Sequence, residues 1–488
     1  MRSWIILLLG LGIGGVAHAG QPLSLSQALS SANTNNPDVR SVALTIQQAD
    51  ASLLAARATA DPTLSMGGDR TVSETQSFLG GFPFESSTES TSGDLSLGGT
   101  LSTGTSWSVS SALSHDVSTS TTSLGGVQGE AQTQDFFSGS ASLSASQDLL
   151  VFFRDTTAQR AIRDATRQQD TARLSAIQSS QQVLVNVASA WWTWQGAFEQ
   201  AELAQDSLES AITLTERTQI WLEVGQVDET ELARVTSDRL QAERNLRASR
   251  HEVRRSANAL LLMMGEDPGQ DVFPVGDGSF ALPETYTDAE HLALAQANSI
   301  DLALLAIERD GAEADLRDAR SDVLPSLALG GQYGRSSLES SAADAIASVG
   351  NDSGFPVYGV SLDLSIPIGG RSVKAANQQA RAALDSIEIR SDSAEQQLVS
   401  SVQLALSSAR LAEQDVALAS SRLAVSIEVE DGESARVDAG TRRLDQLLDS
   451  RQNRQAAQVD LLQAERTLAQ AWLELARLEG RVDQVLSF

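Results

Sequence analysis

The chain repeats itself, and that limits its fold more than any other feature. Displaced by 263 residues, Leu29 falls on Leu292, Ala32 on Ala295, Asn35 on Asn298, Asp38 on Asp301 and Arg57 on Arg320. This match ends with Pro62-x-Leu64-x-x-Gly67-Gly68 against Pro325-x-Leu327-x-x-Gly330-Gly331. A second register, displaced by 215, sets Asp148-Leu149 on Asp363-Leu364, Gln181 on Gln396, Gly225 on Gly440 and Leu246 on Leu461. The registers differ by 48, so the first half holds 48 additional residues, within roughly 69–147. Self-similarity of this kind means copies of one supersecondary unit. The expected units are 20–270 and 271–488.

Each half reads as helix, β segment, very long helix, tight turn and helix. The β segments are expected at about 62–152 and 325–368. From Tyr358 the apolar residues alternate through Val360, Leu362, Leu364, Ile366 and Ile368, with Gly359, Ser361, Asp363 and Ser365 between them. That is a strand with one apolar and one polar face. In the first half Leu143, Ala145, Leu149 and Val151 follow the same pattern, interrupted by Gln147. Such dyads fit a transmembrane barrel, apolar outward and polar inward, and they also fit a soluble sandwich.

The additional first-half residues contain alternating parts at Asp94-Leu-Ser-Leu-Gly98 and Trp107-Ser-Val-Ser110. They predict an extra hairpin over 92–114, turning near Thr103-Gly104. The expectation is an excursion at an extracellular surface or rim. The alternative is a hairpin that joins the wall and widens it. Thr71–Thr91 is Ser/Thr/Gly-rich with Phe78, Phe82 and Phe84 inside it, and reads as a surface loop.

The helices carry the stronger pattern. Residues 155–222 contain no proline and one glycine, Gly196. One helix of that length spans about 100 Å at ~1.5 Å per residue. Its seam runs Leu184, Val187, Trp191, Trp194, Phe198, Ala201, Gln205, Leu208, Ile212, the three-four spacing of coiled-coil packing with one polar break. Trp191 and Trp194 read as seam residues, and Trp192 as pointing toward another helix. The last helix repeats the spacing at Leu461, Ala464, Leu468, Ala471, Leu475 and Leu478.

The first residues give an address. One arginine, an apolar run from Ile5 to Val16 and the small-x-small Ala17-His18-Ala19 predict a signal peptide, 1–19, cleaved after Ala19. No later apolar run reaches 18 residues, so no helical span is expected. The chain has no cysteine, hence no disulfide and no lipidated cysteine anchor. Its formal charge is −28 with a single lysine, Lys374, which argues against nucleic acid as a partner. Beyond the signal peptide the histidines are His115, His251 and His291, and none has a second histidine at metal spacing. No Gly-x-Ser-x-Gly elbow is present. The expectation is no catalytic site, no cofactor and no metal.

Taken in order and twice over, these segments resemble the TolC-type outer-membrane efflux proteins. The resemblance lies in Leu25-Ser-Gln-Ala-Leu29 to Asn36-Pro37-Asp38, in Ser365-Ile-Pro-Ile-Gly-Gly-Arg371 and in Asp438-Ala-Gly-Thr-Arg-Arg-Leu-Asp-Gln-Leu-Leu-Asp-Ser450. It implies a mixed α and transmembrane β fold: a trimeric outer-membrane β-barrel continued by a long periplasmic α-helical barrel. It implies four strands per protomer, twelve in all, in contact with outer-membrane lipid. It implies a homotrimer working with a periplasmic adaptor protein and an inner-membrane transporter, as a passive conduit for small molecules. The outer-membrane component of a type I protein secretion system is the alternative channel. A periplasmic coiled-coil scaffold or adaptor is the alternative of another class, although an adaptor has one helical hairpin with a lipoyl-like β domain, which this repeat lacks.

By the same resemblance the helix-tip turns are Gly225 and Gly440, and the periplasmic gate residues are Arg442, Asp449 and Glu231. Val437 stands where the family has a tyrosine, and Gln446 where it has an acid. Without the resemblance these residues read as a solvated helix end, where exposed pairs contribute about 0–1 kcal/mol each.

Overall fold

The computed structural model describes residues 20–486 except 80–81, 125–126, 129, 151–154, 277–285, 352, 367, 369 and 440–443. The signal peptide lies outside the described residues. The elements are β1 (Gln21–Leu23), α1 (Leu25–Asn35), α2 (Pro37–Ala58), β2 (Thr63–Leu79), β3 (Phe82–Thr100), β4 (Thr105–Leu124), β5 (Val127–Gln128), β6 (Gln132–Asp148), α3 (Thr157–Glu223) and α4 (Glu229–Met264). They continue with β7 (Val272–Pro274), α5 (Asp288–Asn298), α6 (Ile300–Ser321), β8 (Ser326–Glu339), α7 (Ala342–Gly350), β9 (Phe355–Ser365), α8 (Arg371–Asp438), α9 (Leu444–Leu478) and α10 (Val482–Val485).

The helix lengths match between halves. α1 and α2 have 11 and 22 residues, and so do α5 and α6. α3 has 67 and α8 has 68; α4 has 36 and α9 has 35. The opening helix of each half is broken in two. At the first break Pro37 is the first residue of α2, where its missing N–H costs nothing. Asn36 accepts from the Asp38 N–H at 2.7 Å and is almost fully buried. The signal at both helix starts is a capping box, Ser24 with Gln27 and Thr287 with Glu290.

The described chain divides into two compact units. One holds the β sheet and comprises Ile46–Ala172 and Leu305–Arg390; the other comprises the described residues of 20–45, 173–304 and 391–486. The second has its main core where α1, α3, α4, α9 and α10 meet, around Leu29, Val187, Trp191, Trp194, Leu260 and Leu473. Full burial of a leucine or valine contributes about 1.5–3 kcal/mol. Trp192 lies in this same core, 5% exposed, where α3 meets its neighbouring helices. Trp191 Nε1 donates to the Leu23 carbonyl at 3.4 Å.

The seam of α3 drifts. Leu184, Val187, Trp191 and Trp194 are buried, but farther along Ala197, Ala204 and Leu214 are buried while Ile212 is 39% exposed. A straight helix of 3.6 residues per turn falls behind a strict seven-residue repeat by about 20° each heptad. The expected seam is therefore correct for its first half and displaced by two residues at its end.

In the other unit the sheet order is β2-β3-β4-β6-β8-β9, all antiparallel, with β5 paired to β4. Two expectations are corrected here. Thr71–Thr91 is not a loop: outside 80–81 it continues β2 and β3, paired up to Leu79 opposite Phe82. The extra hairpin is longer than 92–114 and does not leave the sheet. β3 is laddered to β2, and β4 to β6, along nearly their whole lengths. Its turn, closed by the Gly104 N–H donating to the Leu101 carbonyl at 2.8 Å, lies at 101–104, close to where it was placed.

At the helical side of the sheet, Arg160 on the first turn of α3 donates to Asp322 at 2.9 Å, and Arg163 pairs with Asp155 at 2.8 Å and with Asp318 on α6. These ion pairs join the end of α6 to the start of α3. No helix among the described residues is long and apolar enough to cross a membrane.

Candidate functional site

Two places carry functional geometry: the faces of the sheet and the turns between the long helices. Residues opposite one another on neighbouring strands share a face, and successive residues alternate. Leu64 stands opposite Leu97, Leu97 opposite Val109, Val109 opposite Leu143, Leu143 opposite Tyr333 and Tyr333 opposite Tyr358. One residue along, Thr63 stands opposite Gly98, then Ser108, Ser144, Gln332 and Gly359. The first row is apolar on every strand, and the second is polar or glycine on every strand.

Hydroxyls lace the polar face. Ser108 and Ser144 are 2.7 Å apart, Ser110 and Ser142 2.8 Å, Ser114 and Ser138 2.7 Å. Ser90 donates to Asp116 at 2.5 Å on the same face. The apolar face is uncovered: Leu64 is 66% exposed, Tyr333 54% and Tyr358 79%. Farther from the helices β2 and β3 turn mostly polar on both faces, with Arg70 paired to Glu89 and Gln76 donating to Glu85 at 3.0 Å. There α7 lies over the apolar face. Gly139 makes room for it: a Cβ there would sit 2.9 Å from the Ala345 carbonyl.

At the first helical turn Gly225 has φ +73 and nothing within 4 Å of a notional Cβ. The Gln226 N–H donates to the Trp221 carbonyl at 2.8 Å, the bond that closes a left-handed helix cap. Gly440 and Arg442 lie outside the described residues. Glu231 is in the first turn of α4, after the Asp228 cap, and its Oε2 is buried with no hydrogen-bond partner among the described residues. Asp449 is exposed on α9. Beside these positions is a small core of Leu214, Val235, Val437 and Leu447, so the valine in place of a tyrosine serves packing.

Charges missed by sequence reasoning surround this core. Glu430 on α8 is almost buried and meets Arg451 at 3.5 Å and Arg454 at 3.1 Å on α9. Arg234 reaches Asp445 at 4.0 Å. Burial pushes the Asp238 carboxyl above its ordinary range; Arg234 opposes that and Asp449 adds to it. The available signal was an acid at a seam position of α8 with arginines three residues apart on the antiparallel helix. Between the helices here is a cavity of about 370 Å³, bordered by Asp238, Glu430 and Arg451. Among the described residues no group of His, Cys, Asp and Glu is arranged to hold a metal.

Residues 292–481 match the family model described as outer membrane efflux protein. Solved structures share the fold over almost the whole chain. CusC, a transmembrane channel, is 17% identical, covers 96% of this chain and 94% of its own, with a TM-score of 0.69. The outer membrane protein VceC of Vibrio cholerae is 12% identical, covers 93% and 96%, with a TM-score of 0.67. The MtrE outer membrane channel of Neisseria gonorrhoeae, in its open state, is 18% identical, covers 95% and 91%, with a TM-score of 0.67. No curated protein sequence matches the chain. The second half of the chain thus matches the outer membrane efflux protein family, and the chain shares the fold of these outer-membrane channels over nearly its whole length.

Proposed function

We propose that three copies of this chain form a passive conduit from the periplasm through the outer membrane, built from two structural repeats per chain, 20–270 and 271–488. The paired rows of the sheet carry this reading. An uncovered apolar row across every strand needs an apolar solvent, and outer-membrane lipid supplies it. The hydroxyl row behind it suits a water-filled lumen. In this reading a periplasmic adaptor and an inner-membrane transporter drive the flow, as in a tripartite efflux or export system for small molecules. The helical turns form the closing end, where Arg442, Asp449 and Glu231 hold neighbouring tips by charge-assisted bonds.

The test is membrane fractionation followed by conductance in planar bilayers. The protein is expected in the outer membrane as a heat-modifiable trimer with discrete channel steps. Recovery as a soluble periplasmic protein would sink the conduit. Arg442→Ser is expected to raise the conductance of the closed state; an unchanged closed state would remove Arg442 from the gate.

A further inference from the structure

We infer that the membrane wall of this channel is an eighteen-stranded barrel, six strands from each of three copies, joined where β9 of one copy adds to β2 of the next. The inference rests on the conduit reading above and departs from the twelve strands that the family resemblance implies.

The inserted hairpin has the chemistry of wall, not of an appendage. Leu95 and Leu97 on β3 and Val109 on β4 continue the apolar face at the height set by Leu64 and Leu143. A hairpin standing in water has no use for that row. On the opposite face Ser108 and Ser110 bond across to Ser144 and Ser142 of β6, so the hydroxyl lining passes through the hairpin without a gap. The ladders on both flanks also hold it in line. Moving β3 and β4 out of the wall would break their pairing with β2 and with β6 and open two edges in the bilayer. Each unpaired backbone group in hydrocarbon costs several kcal/mol.

Two added strands also preserve closure. β2 and β9 are the ends of the sheet order, and with six alternating strands they run in opposite directions. The β9 of one copy can therefore add to the β2 of the next as one more antiparallel pair. The faces agree as well, because Leu362 and Leu364 lie on the apolar face of β9 as Leu64 and Met66 do on β2. An odd insertion would have made the junction parallel.

The consequence is a wide membrane section. With strands about 4.8 Å apart and tilted about 40°, a twelve-stranded ring is about 24 Å across between backbones and an eighteen-stranded one about 36 Å. Barrels of 16–18 strands leave an aqueous channel, where eight-stranded ones are filled by side chains. The inserted strands add Asp94 and Asp116 to the hydroxyl face, so the widened lumen is neutral to acidic. This mouth would pass bulky hydrophilic solutes and favour cations.

The experiment is single-particle imaging of the intact oligomer extracted from the outer membrane, with strands counted around the ring. Eighteen is expected. Twelve, with β3 and β4 off the ring, would overturn the inference while leaving the conduit intact; a soluble monomer would sink the conduit itself. A second measurement uses the absence of cysteine. Ser110→Cys with Ser142→Cys is expected to form an intramolecular disulfide in the membrane-inserted trimer, and failure to form it there would place β4 outside the wall. Deletion of residues 82–129, which joins β2 to β6 and keeps the face alternation, is expected to narrow the ring about 1.5-fold by the same relation of diameter to strand number. A deletion variant that inserts as a trimer with an unchanged ring would overturn the inference.

Discussion

The two β segments start alike and end differently. Both open on Pro-x-Leu-x-x-Gly-Gly, at Pro62 and at Pro325. The first then returns to its helix through four long strands, β2, β3, β4 and β6. The second uses two, β8 and β9, with α7 between them. Yet the apolar row crosses from β2 to β9 without a break. The difference teaches how a membrane wall can lengthen. An insertion of two antiparallel strands leaves both the direction of the edges and the inside–outside alternation of every other strand unchanged, whereas a one-residue slip would turn a whole strand over.

The largest effect should come from placing a charge in the apolar row. Arginine in a barrel at the bilayer midplane costs about 2–4 kcal/mol. Val109→Arg in the inserted hairpin and Val360→Arg in the second segment are both expected to lose most of the heat-stable trimer on gels. Ser110→Arg, on the other face, should keep the trimer and shift ion selectivity toward anions in a planar bilayer. A harmless Val109→Arg beside a damaging Val360→Arg would break the equivalence of the two segments.

A smaller effect separates two glycines of the sheet. At Gly139 a Cβ would press on the Ser337 hydroxyl at 2.8 Å and the Ala345 carbonyl at 2.9 Å, whereas at Gly331 nothing lies within 4 Å. Gly139→Leu should lift α7 from the sheet, at about the 1–3 kcal/mol of overpacking. Gly331→Leu should be close to neutral. Limited proteolysis near Ala342–Gly350 reads the difference, and equal protection in both variants would show that α7 does not rest on Gly139.

The same contrast explains what could be read from the sequence. β9 was legible because apolar and polar residues alternate through Tyr358, Val360, Leu362 and Leu364. The far parts of β2 and β3 were not, because they are polar on both faces: Ser73 to Gln76 and Glu85 to Ser92 hold together by backbone ladders and pairs such as Gln76 with Glu85. Serine and threonine there look like loop composition, and only pairing makes them strands. The length of α3 and the Gly225 turn followed from the absence of proline over 155–222 and from glycine chemistry. The Glu430–Arg451–Arg454 cluster did not, because it depends on how two helices are rotated against each other.

The smallest effect compares the long hairpins of the two halves. In the 215-residue register Asp238 of α4 corresponds to Asn453 of α9. One half carries a titratable acid where the other carries its amide. Burial holds the Asp238 carboxyl above its ordinary range, with Arg234 opposing and Asp449 adding. A carboxyl raised in the folded state binds its proton more readily folded than unfolded, so stability falls as pH rises through that raised value. The penalty is complete above that raised value and is relieved as pH drops toward the ordinary carboxylate value near 3.9, below which both states are protonated. Asp238→Asn makes the first hairpin like the second. It is expected to strengthen the tip slightly at pH 7 and to flatten its pH dependence on the acid side of neutrality. Asp449→Asn should do part of the same by removing the repulsion. Hydrogen exchange of amides in 229–245 across that range measures both. A slope that survives Asp238→Asn would assign the pH response of this hairpin to another group and leave Asp238 a solvated acid like those around it.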